Sequence, residues 1–175
     1  MIRKPVVAGS FYPDNPDELE QMIQNCFTHR FGPNSNPPKQ SIERIFGVIC
    51  PHAGYMYSGP IASHSYYEIS SQEFDLAIII GPNHLAIGSK IATMSDAKWQ
   101  TPLGISEVDS ESSNELLTIA DNIEQDYFSH SKDHSLEVQI PFLQEIFPNN
   151  LKILPIIMAK QDIDCLLYTS DAADE

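Results

Sequence analysis

The stretch Leu76-Ala77-Ile78-Ile79-Ile80-Gly81-Pro82-Asn83-His84 decides how this chain is read. Its first five residues are apolar without interruption, the pattern of a strand covered on both faces. The run then breaks into a Gly-Pro turn that carries a histidine. Upstream, Ile45-Phe46-Gly47-Val48-Ile49-Cys50 is apolar throughout and meets a second such turn, Pro51-His52-Ala53-Gly54. Downstream, Leu151-Lys152-Ile153-Leu154-Pro155-Ile156-Ile157-Met158 forms a third apolar run, in which Pro155 favours an edge or a bulge.

Helical signals separate these runs. Residues 61–69 read as a helix. Asp14 and Asn15 before Pro16 mark a helix start, and Leu19, Met22, Ile23 and Phe27 then recur at helical spacing. Residues 112–120 place Leu116, Leu117 and Ala120 on one face behind small polar residues that can cap. Residues 90–105 read as strand and turn, and residues 32–40, rich in Pro and Asn, as a surface loop. Apolar strands alternating with helices predict an α/β fold: a single domain with a central, largely parallel or mixed sheet flanked by helices. The 175 residues suffice for one domain with a sizeable core.

A formal charge of -14 repels phosphate backbones and anionic lipid, so neither nucleic acid nor membrane is an expected partner. The apolar runs are far shorter than the roughly 20 residues of a membrane-spanning helix. Met1-Ile2-Arg3-Lys4-Pro5 does not open a signal peptide, and a cytoplasmic location is expected. Cys26, Cys50 and Cys165 are widely spaced and odd in number, which disfavours a disulfide framework. The final eleven residues, 165–175, resemble the translation of a transposase-type sequencing adapter. The expected domain is therefore 1–164, incomplete at its C-terminus.

Chemistry concentrates at the histidine turns. Open α/β sheets bind ligands outside the carboxyl ends of their strands. If the strands before His52 and His84 are neighbours, the two turns converge there. Neutral imidazole is a common metal ligand and also titrates near neutrality. The pair could therefore share a metal or divide acid and base roles. One such histidine would ordinarily just satisfy loop backbone; two in the same setting favour function. A third element is Asp133-His134-Ser135-Leu136-Glu137, where Asp133 or Ser135 could cap a helix. His134 can point into the cleft with Glu137 one turn on, although capping and surface charge explain them equally well. Pro141 should kink the helix that follows or divide it into two short pieces. Tyr55 and Tyr57 read as packing residues, and His29, His64 and His130 as ordinary surface or loop residues. Phosphate-binding and dinucleotide-binding glycine motifs, the G-x-S-x-G elbow and H-E-x-x-H are absent.

Four segments, in order, resemble the Memo family, whose bacterial and archaeal members are called AmmeMemoRadiSam system protein B. They are Ala8-Gly9-Ser10-Phe11-Tyr12-Pro13, Pro51-His52-Ala53-Gly54-Tyr55 with Ser58-Gly59, Gly81-Pro82-Asn83-His84, and His134-Ser135-Leu136-Glu137 with Pro141-Phe142-Leu143. The resemblance implies a fold like the class III extradiol dioxygenases, non-haem iron enzymes that open catechol rings. It implies metal ligation by His52 and His84, with a third ligand, a cysteine, downstream of this chain. It makes His134 a further pocket histidine. Asp133 departs from the family, which usually has Glu there. It also implies association with a radical-SAM protein.

The leading expectation is a metal-dependent, oxidoreductase-like protein. His52 and His84 would hold iron or copper, and His134 would act as general acid or base. A non-catalytic module binding a peptide or protein in the same cleft is the alternative, and a metal-assisted hydrolase ranks last.

Overall fold

The computed structural model describes residues 1–38, 44–148 and 151–161. In chain order the elements are β1 (Ile2–Arg3), α1 (Pro16–Thr28), α2 (Tyr55–Ile69), β2 (Leu76–Pro82), β3 (Ile91–Thr93), β4 (Lys98–Thr101) and β5 (Gly104–Glu107). There follow α3 (Ser110–Ile119), β6 (Glu124–Gln125), α4 (Tyr127–His130), a 3-10 turn (Glu137–Gln139), α5 (Ile140–Ile146) and β7 (Lys152–Met158).

The fold is mixed α/β, with two sheets. The larger has the order β2-β7-β3-β6 and the smaller β1-β4-β5. In the larger sheet β2 and β7 run parallel, β7 and β3 antiparallel, β3 and β6 parallel. Strand β7 is the spine of the core: Ile153, Leu154, Ile156, Ile157 and Met158 are all buried. Each such side chain contributes roughly 1.5–3 kcal/mol by leaving water.

Helix α1 starts as its sequence requires. The Asn15 side chain accepts the Glu18 N–H at 3.1 Å, and Pro16 occupies the first turn. Its apolar face, Leu19, Ile23, Cys26 and Phe27, is buried. Helix α2 lies close to it at Gly59, where a Cβ would sit 2.6 Å from Cys26 Sγ. Near Pro141 the chain forms the 3-10 turn and then α5, with the proline at the start of α5, as expected.

Three expectations need correction. Residues 45–50 form no strand. The Ile45 N–H donates to Gln72 Oε1 at 3.1 Å and the Ile49 carbonyl accepts from Ser65 Oγ at 2.9 Å, so the segment is pinned to side chains and has no ladder. Phe46 and Ile49 are 85% and 97% exposed: apolarity favours burial but supplies no partner strand. Strand β2 is not covered on both faces, because Ile78 and Ile80 are 40% and 42% exposed at the edge of the sheet. Strand β7, in turn, is central despite Pro155. Its ladder with β3 ends at the pair Thr93–Ile156, so at Pro155 only β2 pairs with it. The Pro155 carbonyl instead accepts the Thr93 hydroxyl at 2.9 Å. A missing N–H is harmless where the ladder has already stopped. The suspected adapter tail, including Cys165, lies outside the described residues.

Candidate functional site

Strand β2 delivers His84. Beyond Pro82, the Asn83 N–H donates to the Met158 carbonyl at 2.8 Å and its side-chain amide to the Ile87 carbonyl at 2.8 Å. These two bonds close the turn and set the direction in which His84 leaves the sheet. His52 arrives differently from its prediction, on the loop that enters α2 instead of a strand end. Two contacts hold that loop. The Tyr55 N–H donates to the Phe11 carbonyl at 2.7 Å, and Gln139 Nε2 donates to the Pro51 carbonyl at 3.2 Å. His134 comes from the segment before the 3-10 turn, against the ring of Phe11 at 4.6 Å between centroids.

The three rings meet in one cleft. His52 Nε2 lies 3.3 Å from His84 Nε2. The His84 and His134 rings stack at 4.6 Å and 13°. The His52 and His134 rings stand 6.1 Å apart. Partial burial, then the neighbouring His84 imidazole, hold both His52 and His134 below the ordinary histidine pKa. Both effects penalise the cationic ring, so these two imidazoles are neutral at neutral pH.

A carboxylate completes the cluster. Asp133, with its side chain 2% exposed, presents Oδ2 to His84 Nδ1 at 3.0 Å and to the His84 backbone N–H at 2.7 Å. Its Oδ1 accepts the Ser135 N–H at 2.7 Å. Burial pushes this carboxyl up, but the bonds from Ser135 and His84 outweigh it and hold Asp133 below the usual range. Ligand atoms of His84, Asp133 and His134 lie within 4.8 Å of one another, close enough to hold an ion. In sequence, Asp133 reads as a candidate helix cap. The available signal was its place two residues before Ser135, where an Asx-type bond forms; nothing local pointed to His84.

The other residues singled out fall elsewhere. Glu137 turns away from the cleft and is buried. Its carboxylate accepts from Arg3 at 2.7 Å, from the Tyr12 hydroxyl at 2.7 Å, and from the Val6 and Val7 N–H groups at 3.0 and 3.1 Å. Arg3 also donates to the carbonyls of His130 and Asp133, at 2.7 and 2.6 Å. His130, expected at the surface, is fully buried edge-on to Trp99 at 5.8 Å. Burial and the Arg3 guanidinium bring its pKa down to about 3. Tyr55 is a packing residue, its hydroxyl donating to the Val138 carbonyl at 2.7 Å, whereas Tyr57 is exposed. His29 and His64 are exposed as expected.

The 3.3 Å between the two Nε2 atoms can be tested against a shared cation. Two imidazole nitrogens about 2.0–2.1 Å from a tetrahedral ion stand about 3.4 Å apart. The separation suits an N–H···N hydrogen bond between the two rings and equally a transition-metal ion held between them. Beside it lies an apolar cavity of about 480 Å³, bounded by the 45–50 segment and the open edge of β2 and reaching His52.

Fold and site together define a mixed α/β protein with a three-histidine, one-carboxylate cleft beyond the end of a sheet strand. The family model described as "Memo-like protein" matches residues 3–172. A MEMO1 family protein of Nitrosopumilus maritimus (strain SCM1) is 56% identical over 164 residues, covering 94% of this chain and 59% of the relative. Those of Methanobrevibacter smithii and Ignicoccus hospitalis are 45% and 43% identical over 93% and 92% of this chain, and over 59% and 58% of their own lengths. The chain belongs to the Memo family. It spans less than two thirds of the length of these curated relatives.

Proposed function

We propose that this chain forms the histidine part of a metal-dependent, redox-type site, in which His52 and His84 hold iron or, alternatively, copper through their Nε2 atoms. The observation that carries the reading is the 3.3 Å approach of two imidazole nitrogens whose rings come from separate segments of the chain. When bound, such an ion supplies one-electron and Lewis-acid chemistry, with open positions of the kind dioxygenases use. The chain's own residues supply the surroundings. His134, stacked on His84 and neutral at neutral pH, accepts a proton on its imidazole and returns it, as a general base and then acid. Phe11 backs its ring, and the apolar cavity beside His52 receives the non-reacting part of a small substrate.

The cellular setting is part of the proposal: a cytoplasmic protein working with a radical-SAM protein. No helix among the described residues is long and apolar enough to cross a membrane. The acidic charge disfavours nucleic acid and anionic lipid as partners. A second reading, a non-catalytic module that binds a peptide or protein in the same cleft, draws on the exposed apolar residues Phe46, Val48, Ile78 and Ile80 around the cavity.

The test is anaerobic titration with Fe(II) of the wild type, His52→Ala and His84→Ala, followed by oxygen uptake with catechols. Stoichiometric binding that both substitutions abolish supports the site. Unchanged stoichiometry in both variants refutes it. Metal binding without oxygen consumption removes the dioxygenase-like activity and favours the binding module.

A further inference from the structure

One of the three histidines, His84, is bonded to a carboxylate, Asp133. Asp133 is not placed like a free ligand, because its oxygens are already engaged. Oδ2 receives two donors from the same residue, the backbone N–H and Nδ1 of His84, and Oδ1 receives the Ser135 N–H. The segment that carries it is itself fixed. Arg3 donates to the Asp133 carbonyl at 2.6 Å, and the Ser135 hydroxyl donates to the Pro82 carbonyl at 2.8 Å. The second of these bonds ties the carboxylate's segment to the very turn that launches His84. A neutral imidazole has one N–H and one lone pair, and a partner at one nitrogen decides which is which. With an ionised carboxylate at Nδ1, the proton belongs there. The bare lone pair is then at Nε2, the atom 3.3 Å from His52 Nε2.

From this we infer that Asp133 is the positioning residue of the site: it fixes the tautomer and the ring plane of His84, so that Nε2 faces His52 as an acceptor, and it does not itself ligate. Carboxylates bonded to the far nitrogen of a ligating histidine commonly do this, and their loss weakens metal affinity about 10- to 100-fold. The inference rests on the proposed role of His84, but its first test does not need a metal.

That test is the ¹⁵N spectrum of the histidine-labelled, metal-free chain at about pH 8, where imidazoles of ordinary pKa are neutral. The expected result is a single His84 tautomer, protonated at Nδ1 and bare at Nε2. In Asp133→Ala that preference is lost and the ring populates both tautomers. Asp133→Glu, which keeps the charge on a longer arm, restores it at least in part. Fe(II) titration of the same proteins then separates the roles. Affinity falling about 10- to 100-fold in Asp133→Ala at unchanged stoichiometry, with partial recovery in Asp133→Glu, is the positioning outcome. Loss of stoichiometric binding as complete as in His84→Ala makes Asp133 a ligand and overturns the inference. So does a wild-type His84 protonated at Nε2, a result readable even if the variants do not fold. If the tautomer behaves as expected while no protein binds Fe(II), the positioning of His84 stands and His52 and His84 do not by themselves suffice to hold the ion.

Discussion

Two clusters share the segment 130–137, and the same residue types do opposite work in them. On one side, Arg3, Glu137, Tyr12 and His130 are sealed from water, and the arginine and carboxylate have every strong partner they need. On the other, His52, His84 and His134 are half open to solvent around Asp133, with imidazole nitrogens not committed to the protein backbone. The closed cluster frames the open one. Arg3 binds the carbonyls of His130 and Asp133 and the carboxylate of Glu137, so one guanidinium gathers the ends and middle of the segment that presents Asp133 and His134. A buried charge pair is weak evidence of net stability, but breaking one is severe. The difference separates scaffold from chemistry: the buried Arg3–Glu137 pair holds shape, and the partly exposed imidazoles are the ones a ligand can reach.

The strongest way to break this contrast is Glu137→Gln. It leaves the Arg3 guanidinium buried without its counter-charge and should cost about 3–5 kcal/mol, read as a lower urea midpoint. A loss under about 1 kcal/mol would mean that the closed cluster is not structural.

The second probe is acid. His130 is neutral in the fold, with a pKa of about 3, and would titrate near 6.5 when unfolded. The unfolded chain therefore binds a proton that the folded chain refuses. Stability is full above about pH 6.5 and falls by up to about 1.4 kcal/mol per unit as pH drops from there toward 3. His130→Phe, which keeps a ring against Trp99, should flatten that slope between pH 6.5 and 4. Urea midpoints across this range, wild type against variant, decide it, and an unchanged slope would assign the effect to other groups.

Gly81→Ala probes the junction of the two clusters. A Cβ at Gly81 would lie 2.7 Å from Leu136 Cδ2 and 3.1 Å from Ser135 Oγ. Pushing that segment back should cost about 1–3 kcal/mol and shift the His84 and His134 resonances together. The smallest effect belongs to the open side: His52→Ala should change stability by about 1 kcal/mol or less, because its ring is partly exposed and faces another imidazole. A larger loss in thermal melts would show that the cleft is part of the scaffold after all.

Much of this molecule is legible in the sequence because it depends on local rules. The Asn15-Pro16 start of α1, the helical spacing of Leu19, Ile23 and Phe27, and the broken helix at Pro141 follow from capping and backbone geometry. The two histidine turns imply in sequence that His52 and His84 meet, but the structure brings His52 there by another route. His52 reaches the cleft on the loop before α2, held by Phe11 and Gln139, and not at the end of a buried strand. Apolar composition alone cannot distinguish 45–50 from 152–158: both runs favour burial, and only β7 finds strands on both sides.

The sequence by itself determined the α/β alternation, the turns that carry His52 and His84, and membership in the Memo family, since each is written in residue order and spacing. Only the tertiary structure decided which polar residues meet. Arg3 lies more than a hundred residues from Glu137, and Asp133 nearly fifty from His84. Their contacts depend on how β1, β2 and the segment before α5 are brought together, which no local propensity encodes. That is why His130 passed for a surface residue, and why the carboxylate that orients His84 passed for a helix cap.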